Sequence, residues 1–212
     1  MLEELMIEYQ KLQTKYGDKN LDSITFGGCT KNPDICLVFM NPTARNITAS
    51  KDWHGPKSPW IGTKNVWHLF FNLGMISEKL YNEIKSKKGK DWTIEFAKEV
   101  YKEIETNKFY ITNLAKCTQQ DARPLEDEVF KKYLQLFLKE MEIVNPKVII
   151  LFGNQVSSIV LNQSISVSTV RRKKFLLLDK YACYSVYYPV GNGSFNKDKA
   201  IEDIKYIRST IN

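Results

Sequence analysis

Apolar residues along the chain fall into two patterns that alternate with each other. Short runs that are almost entirely apolar, such as residues 35–40 and 147–152, indicate strands buried on both faces of a sheet. Between these runs, apolar residues recur at the spacing of one helical face. The pattern predicts strands at residues 35–40, 108–114, 147–152, 171–178 and 182–188. It predicts helices near the start of the chain and at residues 64–73, 79–107 with a break at Gly89, 125–143, 154–161 and 198–211.

Strands that alternate with helices predict an α/β fold. We expect one three-layer α/β/α domain over residues 1–212, with a short, mainly parallel central sheet and a helical insertion at about 79–107. Ligands of such sheets bind beyond the carboxyl ends of the strands. That rule selects the loops after residues 40, 114 and 188. The first of these, residues 42–63, has the length of a functional loop.

Each selected loop contains residues that suit a binding site. Pro42 holds Asn41 at a strand end, where a fixed carboxamide can position water or substrate, and an ordinary Asn-Pro turn is the alternative. Asn113 ends an apolar strand, and its carboxamide matches the edge of a nucleobase unless protein partners satisfy it. Small residues at 189–194 permit either close approach of a ligand or simply a tight turn.

The composition is that of a soluble globular protein, with 43% hydrophobic and 26% charged residues among 212. Lysine and arginine total 31 against 24 acidic residues, so the net charge of +7 favours a polyanionic partner without identifying one. No apolar run has the length of a membrane span, and the acidic start differs from a signal peptide. We therefore expect a cytoplasmic protein with no membrane partner and with reduced cysteines.

Several segments share the order and approximate spacing of one enzyme family. The matching segments are Met40-Asn41-Pro42, the platform-like Pro59-Trp60-Ile61-Gly62, the Tyr-Ile-Thr-Asn-x-x-Lys-Cys pattern at 110–117, the strand at 145–153, and the late loop at 188–190. Through this set, about residues 35 to 210 resemble the uracil-DNA glycosylase superfamily. An Asn before the Pro is similar to the mismatch-specific and single-strand-selective branches, and the segment at 110–117 to the thermophile-type branch.

The resemblance implies an enzyme that flips a damaged base, with uracil as the expected base, into a pocket and hydrolyses its glycosidic bond. By resemblance, Asn41 would position the attacking water, and Met40 and Pro42 would contact the substrate. Trp60 would stack on the base, and Asn113 would read its polar edge.

The chain also departs from the family pattern. Tyr188 stands where the family has a catalytic His, so a neutral hydroxyl takes over its hydrogen bond or the role is lost. Of the four cysteines that hold the cluster in the iron–sulfur branch, only Cys117 has a counterpart, so we expect no cofactor and no metal. His54 is a candidate acid or phosphate contact, whereas His68 on a helical face suits a structural role.

Basic residues are interleaved with these motifs. The expected nucleic-acid contacts are Arg45, Lys57, Lys64, Lys116, Ser194 and Lys197, with Arg123 and Lys199 nearby. The pairs at 87–88 and 171–172 are expected only to aid solubility.

Together these observations predict a monomeric DNA glycosylase of base excision repair. Two alternatives stay open: a non-catalytic nucleic-acid-binding member of the same fold, and an N-glycosidase that acts on another base or on RNA.

Overall fold

The computed structural model describes residues 2–122 and 125–211, and a six-stranded sheet forms its centre. In chain order the strands are β1 (Phe26–Gly28), β2 (Ile35–Phe39), β3 (Phe109–Asn113), β4 (Val148–Phe152), β5 (Lys174–Leu177) and β6 (Tyr181–Val186). They are arranged in the order β1-β3-β2-β4-β6-β5. The four inner strands are parallel, and an antiparallel strand closes each edge. The predicted α/β fold with a mainly parallel sheet is confirmed.

Helices cover both faces of this sheet. They are α1 (Leu2–Tyr16), α2 (Trp67–Asn72), α3 (Glu78–Ser86), α4 (Ile94–Thr106), α5 (Asp127–Val144), α6 (Asn154–Val160), α7 (Val167–Val170) and α8 (Lys197–Ser209). One core lies between the sheet and α2, α3, α4 and α8, and a second lies between the sheet and α1, α5 and α6. In the part of the chain that the structure describes, no helix combines the length and apolar character of a membrane span.

Strand β2 shows how the apolar pattern produces the two cores. All five of its residues are buried, as predicted for a strand covered on both faces. Successive side chains of a strand point to opposite faces. Leu37 and Phe39 accordingly pack into the core beside α2 and α4, whereas Cys36 and Val38 pack into the core beside α5.

The segment expected to be a helical insertion forms α3, a short 3-10 turn at Gly89–Asp91, and α4. Trp92, Phe96 and Val100 of this segment are buried in the first core. Helix α4 also leads directly into β3, which lies beside β2. The segment is therefore part of the layer that covers the sheet, and its many charges lie on the outer side of that layer.

Several element boundaries differ from the sequence-based expectation. The three-residue strand β1 was not predicted, because Gly27 and Gly28 give it no apolar run and only pairing with distant β3 defines it. The predicted strand at 171–178 begins at Lys174, since Arg172 has a φ of 60°, which extended backbone does not permit. The strand predicted at 182–188 ends at Val186, which leaves Tyr187 and Tyr188 in the following loop.

Candidate active site

A cavity of about 360 Å³ lies beyond the carboxyl ends of β2, β3 and β6. It is lined by Met40, Asn41, Pro42, Thr43, Arg45, Asn46, Pro59, Trp60, Thr63, Asn65, Asn113, Ala122, Tyr188, Val190, Gly191, Asn192 and Gly193. The cavity thus brings together the predicted substrate and catalytic residues Met40, Asn41, Pro42, Trp60, Asn113 and Tyr188, together with Arg45. Their chemical roles remain predictions.

Main-chain hydrogen bonds fix the first two loops against each other. The N–H of Ala115 donates to the carbonyl of Met40 at 3.0 Å, and that of Gln119 to the carbonyl of Pro42 at 3.1 Å. The N–H of Ala44 returns a bond to the carbonyl of Gln119 at 2.8 Å. The parallel pairing of β2 with β3 therefore continues past the strand ends, so Asn41 and Asn113 are held at one edge of the sheet.

Asn41 follows β2 directly and is half-buried. Its Nδ2 donates to the carbonyl of Pro42 at 3.3 Å. This contact orients the carboxamide, so that Oδ1 is the atom available to accept a hydrogen bond from a molecule in the cavity.

Trp60 is held in a backbone conformation that is unusual for a bulky residue, with a φ of 71°. Its N–H donates to Oδ1 of Asn46 at 2.5 Å, and its carbonyl accepts from the hydroxyl of Thr63 at 2.8 Å. The indole packs edge-on against Phe39, with ring centroids 4.9 Å apart. Local contacts thus hold an aromatic plane at the wall of the cavity, and such strained residues concentrate at functional sites.

Two side-chain donors that belong to the cavity lining are buried without a partner among the described residues: Nδ2 of Asn113 and Nε1 of Trp60. Asn113 itself is only 2% exposed. An unsatisfied buried donor costs about 1–3 kcal/mol, and an acceptor on a bound ligand would recover that cost. The lining therefore favours a ligand that carries hydrogen-bond acceptor atoms.

Tyr188 also lines the cavity, and its ring meets Phe39 edge-on at 6.3 Å. Burial raises the pKa of its hydroxyl from the ordinary value to about 12. The hydroxyl is therefore neutral and able to donate a hydrogen bond throughout the physiological pH range. Gly193 is needed beside it, because a Cβ there would lie 2.2 Å from the carbonyl oxygen of Tyr188.

The lining contains few ionisable groups. Among its described residues, only Arg45 and Tyr188 have titratable side chains, and neither is a carboxylate or an imidazole. Arg45 is exposed at the rim. The site can stack, hydrogen-bond and orient a ligand, but its described lining supplies no general base stronger than an amide.

Two predicted phosphate contacts form ion pairs within the protein instead of facing the cavity. Lys116 is completely buried and pairs with Glu140 at 2.8 Å, so a phosphate cannot reach it. Lys57 lies away from the cavity, where its ammonium pairs with Asp22 at 2.8 Å and donates to the carbonyls of Thr48 and Ser50. The sequence around Lys116 and Lys57 does not reveal these partners.

Three other predicted contacts lie outside the cavity lining but close in sequence to residues that belong to it. Lys64 and Ser194 are exposed, and Lys197 is partly exposed. Lys64 follows the lining residue Thr63 and donates to the carbonyl of Lys85 at 2.7 Å. The other two follow the lining residue Gly193, so their positions suit contacts outside the pocket. Arg123 lies outside the described residues.

The two histidines do not line the cavity. His54 is exposed in the first loop. His68 lies on α2 within 3.4 Å of the Tyr81 hydroxyl, and burial together with the charge of Lys197 lowers its pKa.

Sequence reasoning missed two residues of this region. Asn46 is 5% exposed and joins the first loop to Trp60, but nothing in its local sequence marks that contact. Phe195 is 81% exposed on the loop that lines the cavity. An aromatic residue among glycines and polar residues at a loop tip was the available signal.

The cysteines do not fit an iron–sulfur cluster. Cys36 contacts the sulfur of Met141, Cys29 donates to the carbonyl of Lys31, and Cys183 lies on β6, which β4 separates from β2. All four are buried free thiols. In the described part of the chain, no group of three or more His, Cys, Asp or Glu side chains is placed to hold a metal.

The fold and the cavity agree with a comparison against known families. A family model described as the Uracil DNA glycosylase superfamily matches residues 26–205, which include all six strands and the three loops of the cavity. No curated protein matches the chain. The family model confirms the resemblance found in the motifs and supports a DNA glycosylase-type function. The chain belongs to the uracil DNA glycosylase superfamily.

Proposed function

We propose that this protein hydrolyses the N-glycosidic bond of uracil in DNA, as a step of base excision repair. The observation that supports this most directly is the cavity that joins Asn41, Trp60, Asn113 and Tyr188 at one edge of the sheet. A base inside a duplex is out of reach of such a cavity, so the nucleotide must be flipped out of the stack.

Asn113 and Trp60 would recognise the flipped base. Nδ2 of Asn113 donates to a carbonyl oxygen of the base, and its Oδ1 accepts from the neighbouring ring N–H, a pairing that uracil offers. The indole of Trp60 stacks on the ring, a contact worth about 1–3 kcal/mol per base in single-strand binders. The buried, unpartnered Nδ2 of Asn113 supports this assignment.

Asn41 would position the attacking water through its Oδ1. The bond between C1′ and the base nitrogen breaks, with its electron pair leaving on the base, and the water oxygen bonds to C1′. The proton released by the water ends on the departing base or in solvent. A cationic, oxocarbenium-like sugar needs only a weak nucleophile, so an amide that orients water is sufficient.

Tyr188 would stabilise the departing base by donating its hydroxyl proton in a hydrogen bond to a base oxygen. A fixed neutral donor in a site shielded from water favours the charge that develops on a leaving group. The burial that raises its pKa to about 12 keeps the donor protonated.

One alternative is supported by the same lining. Tyr188 replaces the family His, and the described lining has no carboxylate, so a protein that binds flipped bases without cleaving them is the competing function. Release of another base, or of a base from RNA, would use the same cavity.

The test is a glycosylase assay with single- and double-stranded oligonucleotides that contain uracil, hypoxanthine or thymine, and with an RNA of the same sequence. We expect abasic sites in the uracil-containing DNA. Asn41→Ala should remove cleavage with little loss of binding, and Asn82→Ala, which removes an exposed carboxamide of α3 outside the cavity lining, is the control that should keep it. Salt-sensitive binding without any abasic sites would instead identify the non-catalytic binder.

A further inference from the structure

Directly behind the cavity wall formed by Asn113 lies a buried ion pair. Lys116 and Glu140 are both fully buried, and their side chains meet at 2.8 Å. The ammonium of Lys116 also donates to the main-chain carbonyl of Asn113 at 2.5 Å. The pair is therefore connected to a residue of the cavity lining although it does not itself line the cavity.

Glu140 accepts from four donors in three parts of the chain. Its Oε1 accepts from the hydroxyls of Thr112 at 2.6 Å and Tyr110 at 3.1 Å, both on β3. Its Oε2 accepts from the hydroxyl of Tyr9 on α1 and from Lys116 in the loop after β3. One carboxylate thus fixes the end of β3 and the start of the next loop against α1 and α5.

The carboxamide of Asn113 has a different environment. Its Nδ2 has no hydrogen-bond partner among the described residues, so no hydrogen bond at that atom fixes its direction. Its direction then depends on the main chain of Asn113, whose carbonyl accepts from the ammonium of Lys116 and, at 3.4 Å, from the hydroxyl of Thr112. Burial lowers the pKa of Lys116, and the neighbouring Glu140 carboxylate opposes that change.

We propose that the Lys116–Glu140 ion pair is a positioning device for Asn113, which holds the base-reading carboxamide in the direction that recognition requires. Lys116 and Glu140 touch no substrate and act only through Asn113. A buried ion pair contributes little net stability compared with well-packed neutral residues of similar volume, so stability alone does not explain its presence. This inference rests on the proposed function, in which Asn113 reads the base.

The test is a double-mutant cycle between the pair and Asn113. Replacing both charges in Lys116→Met/Glu140→Gln avoids leaving one buried charge unpaired. We expect this variant to lose roughly tenfold or more in kcat/KM on uracil-containing DNA, because misplacement by about 1 Å can cost about 100-fold. In an Asn113→Ala background the same two changes should lower kcat/KM by less than about twofold. Equal losses in both backgrounds would overturn the positioning role.

A matched control and a second measurement separate this inference from the proposed function. Asp203→Asn removes another fully buried carboxylate, which pairs with Arg171 and Arg172 away from the cavity, and it should leave kcat/KM within about twofold. Nuclear magnetic resonance of the side-chain amides reports on Asn113 whether or not the protein cleaves DNA. The Asn113 amide signals should shift or broaden in the Lys116→Met/Glu140→Gln variant while those of Asn41 stay unchanged. Unchanged Asn113 signals would refute the inference even in a protein that cleaves no base.

Discussion

The main-chain N–H of Trp60 donates to the carboxamide oxygen of Asn46, and the same carboxamide donates to the carbonyl of Thr43 at 3.0 Å. One buried side chain therefore joins the segment after Asn41 to the aromatic wall of the cavity. The contact also holds Trp60 at its positive φ of 71°. The two walls that would contact a base and its attacking water are thus coupled through Asn46.

Removal of this link should affect both stability and activity. Asn46→Ala leaves the Trp60 N–H and the Thr43 carbonyl without their partner, which we expect to cost about 1–3 kcal/mol in the free energy of unfolding. Glycosylase activity should fall further than this loss explains, because Trp60 can leave its strained conformation. Chemical denaturation and kcat/KM measured under conditions where the variant is folded check this. Asn82→Ala, which removes an exposed carboxamide of α3 outside the cavity lining, is the control that should change neither.

The pH dependence of cleavage should distinguish Tyr188 from a histidine. Since burial raises the pKa of Tyr188 to about 12, its hydroxyl stays protonated and should produce no inflection between about pH 6 and pH 9. Tyr188→Phe should lower kcat by about 100-fold, the scale of one lost preorganised donor. Tyr188→His should introduce an inflection near pH 6.5, with faster cleavage below it, where an imidazolium faces the departing base. An inflection near that pH in the unaltered protein would point to a different titrating group.

The same pKa predicts a change in stability at alkaline pH. The native state keeps the Tyr188 proton up to about pH 12, whereas the unfolded chain loses it near pH 10. The native state therefore binds more protons in that interval. The contribution of Tyr188 to stability should be fully present below about pH 10 and should fall as the pH rises towards 12. We would measure the free energy of unfolding of the protein and of Tyr188→Phe as a function of pH. The difference between the two should be constant below about pH 10 and should change with pH above it.

Much of this architecture followed from the sequence because local rules determine it. Apolar runs specified the inner strands, and the rule that ligands bind beyond parallel strand ends selected the loops that form the cavity. The placement of Asn41 and Asn113 at the carboxyl edge of the sheet therefore followed from their positions at the ends of predicted strands.

The expectations that the structure does not support concern residues whose surroundings are formed by parts of the chain distant in sequence. Lys116 looked like a cation beside a binding loop, but Glu140 of α5 and Tyr9 of α1 enclose it once the helices pack. Lys57 likewise pairs with Asp22, from which it is separated in the chain by β1, β2 and part of the first loop. The strained φ of Trp60 has no signature in its residue type, since glycine is the residue expected there.

Phe195 should contribute to the binding of a flipped nucleotide. Its side chain is 81% exposed on the 3-10 turn Gly191–Asn196, which borders the cavity. An exposed aromatic at such a position can insert into a base stack and fill the gap that flipping leaves. Phe195→Ala should therefore reduce cleavage of uracil in duplex DNA more than in single-stranded DNA. Tyr206→Ala removes another exposed aromatic side chain, on α8, and should not change the ratio of duplex to single-strand cleavage. Equal loss on both substrates in Phe195→Ala would argue against insertion.

The salt dependence of DNA binding should identify which cations contact phosphates. Arg45 belongs to the cavity lining, and Lys64 and Lys197 follow lining residues in the chain, whereas the ammonium of Lys57 pairs with Asp22. Each cation that contacts a phosphate should, when changed to alanine, reduce the slope of log K against log salt by about 0.9 on duplex DNA or about 0.7 on a single strand. Lys57→Ala should instead lower thermal stability and leave the slope unchanged, because it removes a protein ion pair. Binding isotherms at several salt concentrations for the four single variants decide between these outcomes. A reduced slope in Lys57→Ala would instead show that DNA contacts the part of the first loop, residues 42–63, that carries Lys57.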